Sequence, residues 1–300
     1  MINQITQITQ LPDKELLLPG TRACSGCGLA LAFRTALKAL GENTILTIPA
    51  SCSTVLQGMY PVASSAVPIL NTAFETTAAS ASGLSAALKA LGKSEDYAIV
   101  GWAGDGGTAD IGIQALSGAA EREENFIYVC YDNEAYMNTG TQRSGATPAG
   151  ALTTTTPFSG KKQNKKDMLK IMEAHNLPYI ASCSPAYPAD LYNKFLKAKS
   201  IRGTKYIHIF TPCPPGWGFP QNLTVKLGKL AVESGLFDLF EIEYGKKNYT
   251  GVTKNIYENK VARKPVADYI KIQSRFGKIS DCQIKEIQDG IDLKFSGGKQ

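Results

Sequence analysis

From Arg22 to about Cys213 the chain alternates between two hydrophobic patterns. Ala- and Leu-rich stretches with helical spacing predict helices over Leu29–Leu40, Phe74–Leu91, Ile111–Ala120, Asp167–His175 and Ala189–Ser200, with Gly41 and Gly92 closing the first two. Between them lie short apolar runs rich in β-branched and aromatic residues, which predict strands. These are Thr44–Ile48 (TILTI), Tyr97–Trp102 (YAIVGW), Phe126–Tyr131 (FIYVCY), Tyr179–Ser182 and Tyr206–Phe210 (YIHIF). Such alternation implies an α/β fold: a parallel sheet with right-handed helical crossovers and helices on both faces.

Two stretches break the pattern. Asn138–Asn164 is rich in Gly, Thr, Ser and Lys and has no hydrophobic period. A loop of that length inside a compact domain is functional or mobile. Beyond Gly216 the alternation stops, and helical segments mix with Lys-rich linkers. The chain thus divides into an N-terminal arm (residues 1–21), an α/β domain (22–222) and a C-terminal extension (223–300) suited to packing on partner subunits. Residues 296–300 are expected to be disordered.

Composition narrows the function classes. With 43% hydrophobic residues among 300, the chain can bury a substantial core. The net charge of +6 is spread along the chain, without an arginine-rich block. That distribution suits a solvated surface or a patch for an acidic partner, and it disfavours nucleic acid. The polar N-terminus does not read as a signal peptide, and no apolar window reaches the ~18 residues of a spanning helix. A cytoplasmic protein is expected. Seven cysteines, an odd number, point in a reducing compartment to metal or cluster ligation or to buried thiols.

The segment from Ala98 to Asn138 carries the most chemistry. An apolar strand runs into Gly104-Asp105-Gly106-Gly107, a helix follows, and a second strand ends at Asp132-Asn133. Asp105 and Asn133 therefore both fall at carboxyl ends of parallel strands, where ligands collect, 28 residues and one crossover apart. A carboxylate and an amide oxygen are ligands of the kind Mg²⁺ prefers. The three glycines let backbone approach a diphosphate, and the helix start presents free N–H groups to it.

A second constellation is Arg22-Ala23-Cys24-Ser25-Gly26-Cys27-Gly28, with Cys52 after a strand and Cys213 in the turn TPCPPGW. Four thiols at element ends can hold either Zn²⁺ or a [4Fe–4S] cluster, and composition alone leaves both open. A zinc ribbon usually has a second close Cys pair, which is missing here. Cys130 and Cys183 read as packed thiols, and Cys282 as a half-exposed one. Of the two histidines, His175 ends a helix and His208 sits in a strand as a core residue. No GxSxG, P-loop or HExxH motif is present, so the chemistry is expected from a cofactor.

The wording GDGGTADIG…YDNEAYMNTGTQRSGATP resembles the thiamine-diphosphate motif of the 2-oxoacid:ferredoxin oxidoreductases. The resemblance runs from Gly20 through the tail segments VKLGKLAVESGLF and KPVADYIKIQSRF, and it is to the β subunits of pyruvate-oxidising members. It implies that Asp105, Asn133 and the carbonyl of Ala135 bind Mg²⁺ and that Asn138 lies near the thiazolium ring. It also implies that Cys24, Cys27, Cys52 and Cys213 hold a [4Fe–4S] cluster. The implied reaction converts pyruvate, coenzyme A and oxidised ferredoxin to acetyl-CoA, CO₂ and reduced ferredoxin, reversibly. The implied partners are an α subunit bearing the carboxylate that activates the aminopyrimidine, a γ subunit and a small ferredoxin-like δ subunit. Alternatives are the same chemistry on a branched-chain, aromatic, 2-oxoglutarate or oxalate substrate, a non-redox thiamine enzyme with structural zinc, or a non-catalytic zinc-bound module. Leu29 departs from the family, where a polar or acidic residue often follows the CxxCG. Glu75 reads as a helix-surface carboxylate, and Arg22 and Arg143 as solvated surface with a possible role in holding a carboxylate.

Overall fold

The computed structural model describes residues 4–296. Helix α1 (Gly28–Leu40) leads into strand β1 (Thr44–Pro49). A short helix α2 (Cys52–Gln57) and strand β2 (Ile69–Thr72) follow. Helix α3 (Thr77–Ala90) begins three residues later than its apolar pattern, because Phe74 and Glu75 form the turn before it. Strand β3 (Ala98–Gly104), helix α4 (Ile113–Glu121) and strand β4 (Ile127–Asp132) make the central crossover. Helix α5 (Met168–Glu173), strand β5 (Tyr179–Cys183), helix α6 (Pro188–Ser200) and strand β6 (Lys205–Phe210) complete the alternation.

The sheet order is β2-β1-β3-β4-β6-β5, and all these strands run parallel. Side chains alternate across it with period two. Ile127, Val129 and Tyr131 face a core built with α1 and α6 around Phe33, Trp102 and Phe195. Tyr128 and Cys130 face a second core with α3, α4 and α5. With both faces covered, the strands read as continuous apolar runs, which is why their pattern was legible.

The chain beyond Gly216 contributes more than helices and linkers. Helix α7 (Pro214–Trp217) and helix α8 (Thr224–Glu233) precede a hairpin, β7 (Phe240–Glu243) and β8 (Lys246–Tyr249). The hairpin extends the sheet antiparallel to β5. Helices α9 (Gly251–Tyr257), α10 (Val266–Ile270) and α11 (Asp281–Ser296) follow. A third core joins α8, α10 and α11 to Phe210 and Trp217. Of residues 296–300, expected to be disordered, Ser296 instead closes α11, and 297–300 lie outside the described residues. Among the described residues no helix is long and apolar enough to cross a membrane.

Candidate active site

The strand order reverses between β1 and β3, so their connections leave in opposite directions and open a crevice at the carboxyl edge. A cavity of about 300 Å³ lies there. Its wall includes Cys52 after β1, Gly104 to Gly107 after β3, and Asn133, Ala135 and Asn138 after β4. Asp105 is its only carboxylate.

Asp105 and Asn133 each follow the last residue of their strand directly, and the register, which pairs Gly104 with Tyr131, leaves them one residue out of step on neighbouring strand ends. One terminal atom of the Asn133 amide lies 3.0 Å from Asp105 Oδ1 and 2.9 Å from the Ala135 carbonyl oxygen. Placed as nitrogen, that atom donates to both. Placed as oxygen, it stands next to each of the other two oxygens at the spacing of about 2.8–3.0 Å expected for neighbouring ligands 2.0–2.1 Å from Mg²⁺. In that second placement the amide nitrogen faces Cys52 Sγ at 3.9 Å.

The other oxygen of Asp105 accepts a hydrogen bond from Ser144 Oγ. Burial, and then the neighbouring Asp132 carboxylate, push the Asp105 carboxyl well above its usual range, against the pull of Ser144. Ionising it in place calls for a cation.

The glycines differ in their reasons. A Cβ on Gly106 would lie 2.1 Å from the Tyr136 ring. That ring is pinned by its hydroxyl, which donates to Asp110 Oδ2 at 2.6 Å. At Gly107 the nearest atom, on Phe74, would be 3.4 Å away, an ordinary contact, so no protein atom demands glycine there. The sequence placed the helix at Ile111–Ala120; α4 runs from Ile113, and Gly106–Ile111 before it winds as a π-helical turn. Such wide turns favour functional sites.

A second cavity of about 280 Å³ adjoins the first. Cys24, Cys27, Cys52 and Cys213 all line it, as does Leu29. Cys27 and Cys213 stand at the N-terminal caps of α1 and α7, and Cys52 opens α2. Burial pushes the Cys52 and Cys213 thiols up to about 12 and raises Cys27, and the thiols' mutual charge adds to it. Among the described residues no three His, Cys, Asp or Glu side chains are gathered for a single metal ion. Cys52, Asn133, Met137 and Asn138 belong to both cavity walls. Cys52 Sγ donates to Asn138 Oδ1 at 3.2 Å.

Beneath the 133–135 turn runs a buried charge network with no sequence signature. Asp132 Oδ2 accepts from Lys165 Nζ at 2.8 Å and lies 3.0 Å from His208 Nε2. Burial alone would raise Asp132, but Lys165 and His208 outweigh it and hold its carboxyl below the usual range. Lys165 also donates to Glu134 Oε1 at 2.9 Å, while Arg275 Nη2 lies 2.7 Å from Glu134 Oε2. His208 is thus a satisfied core residue, its other nitrogen 2.9 Å from Tyr206 Oη.

The long loop is neither regular nor loose. Lys161, buried within it, donates to the carbonyls of Ser144, Gly145 and Thr147 and so fixes the segment that carries Ser144. Other residues take expected places: Cys130 and Cys183 are buried, while Arg143 and Cys282 are exposed. Arg22 is exposed at the rim of the second cavity. Glu75 lies exposed in the turn before α3 rather than on the helix, and α5 ends before His175.

Residues 51–209 match the family described as thiamine pyrophosphate enzyme, C-terminal TPP binding domain. The chain is 48% identical to pyruvate synthase subunit PorB of Methanothermobacter thermautotrophicus, over 94% of this chain and 97% of that one. It is 47% identical to the subunit of the same name from Methanocaldococcus jannaschii, over 96% and 97%. Ketoisovalerate oxidoreductase subunit VorB of Pyrococcus abyssi is also 48% identical, over 94% and 91%. A solved 2-oxoglutarate:ferredoxin oxidoreductase from Magnetococcus marinus shares the fold with a TM-score of 0.58 at 21% identity, over 76% of this chain and 84% of that one. Strand-end geometry, matched domain and full-length relatives agree: the chain belongs to the 2-oxoacid:ferredoxin oxidoreductases, as a thiamine-diphosphate-binding β subunit.

Proposed function

We propose that this chain is the β subunit of a pyruvate synthase that uses thiamine diphosphate, Mg²⁺ and one [4Fe–4S] cluster. The overall reaction turns pyruvate and coenzyme A into acetyl-CoA and CO₂ and passes electrons to ferredoxin, reversibly. The observation that carries the reading is the convergence of Asp105, Asn133 and Ala135 oxygens beside a cavity walled by four cysteines.

Asp105 Oδ1, the Asn133 amide oxygen and the Ala135 carbonyl would hold Mg²⁺, with Ser144 fixing the rotamer of Asp105. Gly104, Gly106 and Gly107 leave backbone free to meet a diphosphate. Cys24, Cys27, Cys52 and Cys213 would ligate the cluster. Four thiols line one open space, and the absence of a second close Cys pair argues against a zinc ribbon and for a multi-iron cluster. When bound, thiamine diphosphate supplies the electron sink for decarboxylating a 2-oxoacid, and the cluster accepts electrons singly. The chain's own part is to orient and to keep water out. Asn138 presents its amide between the two cavities, against Cys52.

Thiamine enzymes need a carboxylate against the aminopyrimidine. Asp105 is committed to the cation and Glu75 points to solvent, so that group is assigned to the α subunit, with γ and ferredoxin-like δ subunits completing the enzyme. Met59, Tyr60 and Val62, after α2, leave apolar surface 71%, 94% and 58% exposed, which suits such a neighbour. A branched-chain substrate is the second reading, favoured by the VorB relative at equal identity.

The test is an iron, zinc and acid-labile sulfide count on the anaerobically purified complex, corrected for its other subunits. About four irons and four sulfides per chain support the reading; one zinc and no sulfide overturn it in favour of a non-redox thiamine enzyme. Ferredoxin reduction with pyruvate against ketoisovalerate then decides the substrate. Asp105→Ala is expected to abolish Mg²⁺-dependent thiamine diphosphate binding in calorimetry.

A further inference from the structure

The turn that carries Asn133 and Ala135 is held in an uncommon conformation. Glu134, between them, has φ +64°, in the left-handed region that a non-glycine residue adopts at a cost. Three of the four polar groups of Glu134 are hydrogen-bonded, and Oε2 is met by an ion pair alone. Its N–H donates to Asp132 Oδ1 at 3.0 Å, and its carbonyl accepts from Thr147 Oγ1 at 2.6 Å. One carboxylate oxygen takes Lys165. The other faces Arg275, a residue some 140 positions further along the chain.

Arg275 is buried, and the C-terminal extension orients it before it reaches Glu134. Its Nε donates to Gln273 Oε1 at 2.8 Å and its Nη2 to Tyr269 Oη at 3.1 Å. Its guanidinium lies over the Trp217 ring, 3.8 Å from the centroid. Trp217 in turn donates Nε1–H to the Asn133 carbonyl at 2.7 Å, and its own N–H bonds back to the Cys213 carbonyl. One arginine therefore grips the 133–135 turn twice, through Glu134 directly and through Trp217 at Asn133.

We propose that Arg275 and Trp217 are positioning residues for the divalent-cation site, locking the 133–135 turn so that the Asn133 amide and Ala135 carbonyl stay aimed at Asp105. The proposal rests on the reading of those three residues as the Mg²⁺ site. Outer partners that orient metal ligands commonly change affinity 10- to 100-fold when removed. The planar fork matters as well as the charge, since lysine keeps one ion pair but loses the stack and the fixed hydrogen bonds.

The experiment measures Mn²⁺ binding by electron paramagnetic resonance on the assembled complex with saturating thiamine diphosphate, alongside thermal melting. Trp217→Phe keeps an aromatic ring beneath the guanidinium while removing the N–H, and about a tenfold loss of Mn²⁺ affinity is expected. Arg275→Met should lose more, towards 100-fold, and Arg275→Lys should recover only part of it. If Arg275→Met does not fold, the other two variants carry the test. Folded variants that bind Mn²⁺ within twofold of the parent, whatever their melting temperatures, overturn the positioning role. A parent complex that binds no Mn²⁺ with thiamine diphosphate overturns the cation-site reading itself, and the positioning role with it.

Discussion

Single buried charges in this protein are either matched or conspicuously unmatched. The cluster of Asp132, Lys165, Glu134 and Arg275 sets two anions against two cations beneath the active-site turn. Removing Glu134 would leave the buried Arg275 without a carboxylate, at about 3–5 kcal/mol. Lys205 is the contrasting case. At the start of β6 it is buried and donates to Asn125 Oδ1 at 2.8 Å, with no carboxylate in ion-pair range among the described residues. Burial brings its pKa down to about 7, against the pull of Glu95. Below that pH, folded and unfolded chains both carry the proton, and the burial cost is felt in full. Between about 7 and the unfolded value of ~10.4, only the unfolded chain keeps it, so this residue makes stability rise with pH across that window. Lys205→Met should therefore melt higher than the parent at pH 6. The gain should shrink towards pH 10, and thermal melts at the two pH values check both parts.

At the scale of elements, legibility followed burial. The five strands recognised as apolar runs are those covered on both faces. Strand β2, an edge with two exposed residues, and hairpin strand β8, whose sequence is KKNY, carry no such run. Both escaped notice, as did the six-residue α2. Of the proposed cation ligands, Asp105 and Asn133 were legible because each stands one residue beyond a strand, whereas Ala135 came only from the resemblance. The groups that support them were not: Ser144, Lys165 and Arg275 meet their partners across sequence separations that leave no periodic trace. The π-helical turn after β3 was equally silent, although its glycine was not. Gly106→Ala would push a methyl group into the Tyr136 ring, which Asp110 holds in place. A cost of about 1–3 kcal/mol is expected from overpacking, with weaker thiamine diphosphate binding in calorimetry. The double variant with Tyr136→Leu should recover much of the lost stability.

At the scale of the molecule, the extension after residue 222 is integral to the fold. It caps the β5 edge with β7, covers Phe210 and Trp217, and delivers Arg275. A chain truncated at residue 222 should therefore not yield a stable α/β domain. It would expose an unpaired strand edge and large aromatic surfaces, and loss of soluble, cooperatively melting protein is the outcome to look for. The long reach of Arg275 also bears on how the protein is made. Domains emerge from the ribosome N-terminal part first, at ~5–20 residues per second. Asp105, Asn133 and the four cysteines are all synthesised before the arginine that neutralises Glu134. The nascent chain thus displays its ligands for several seconds with only Lys165 on Glu134, and the turn among them is expected to gain its second cation only once the extension has been made.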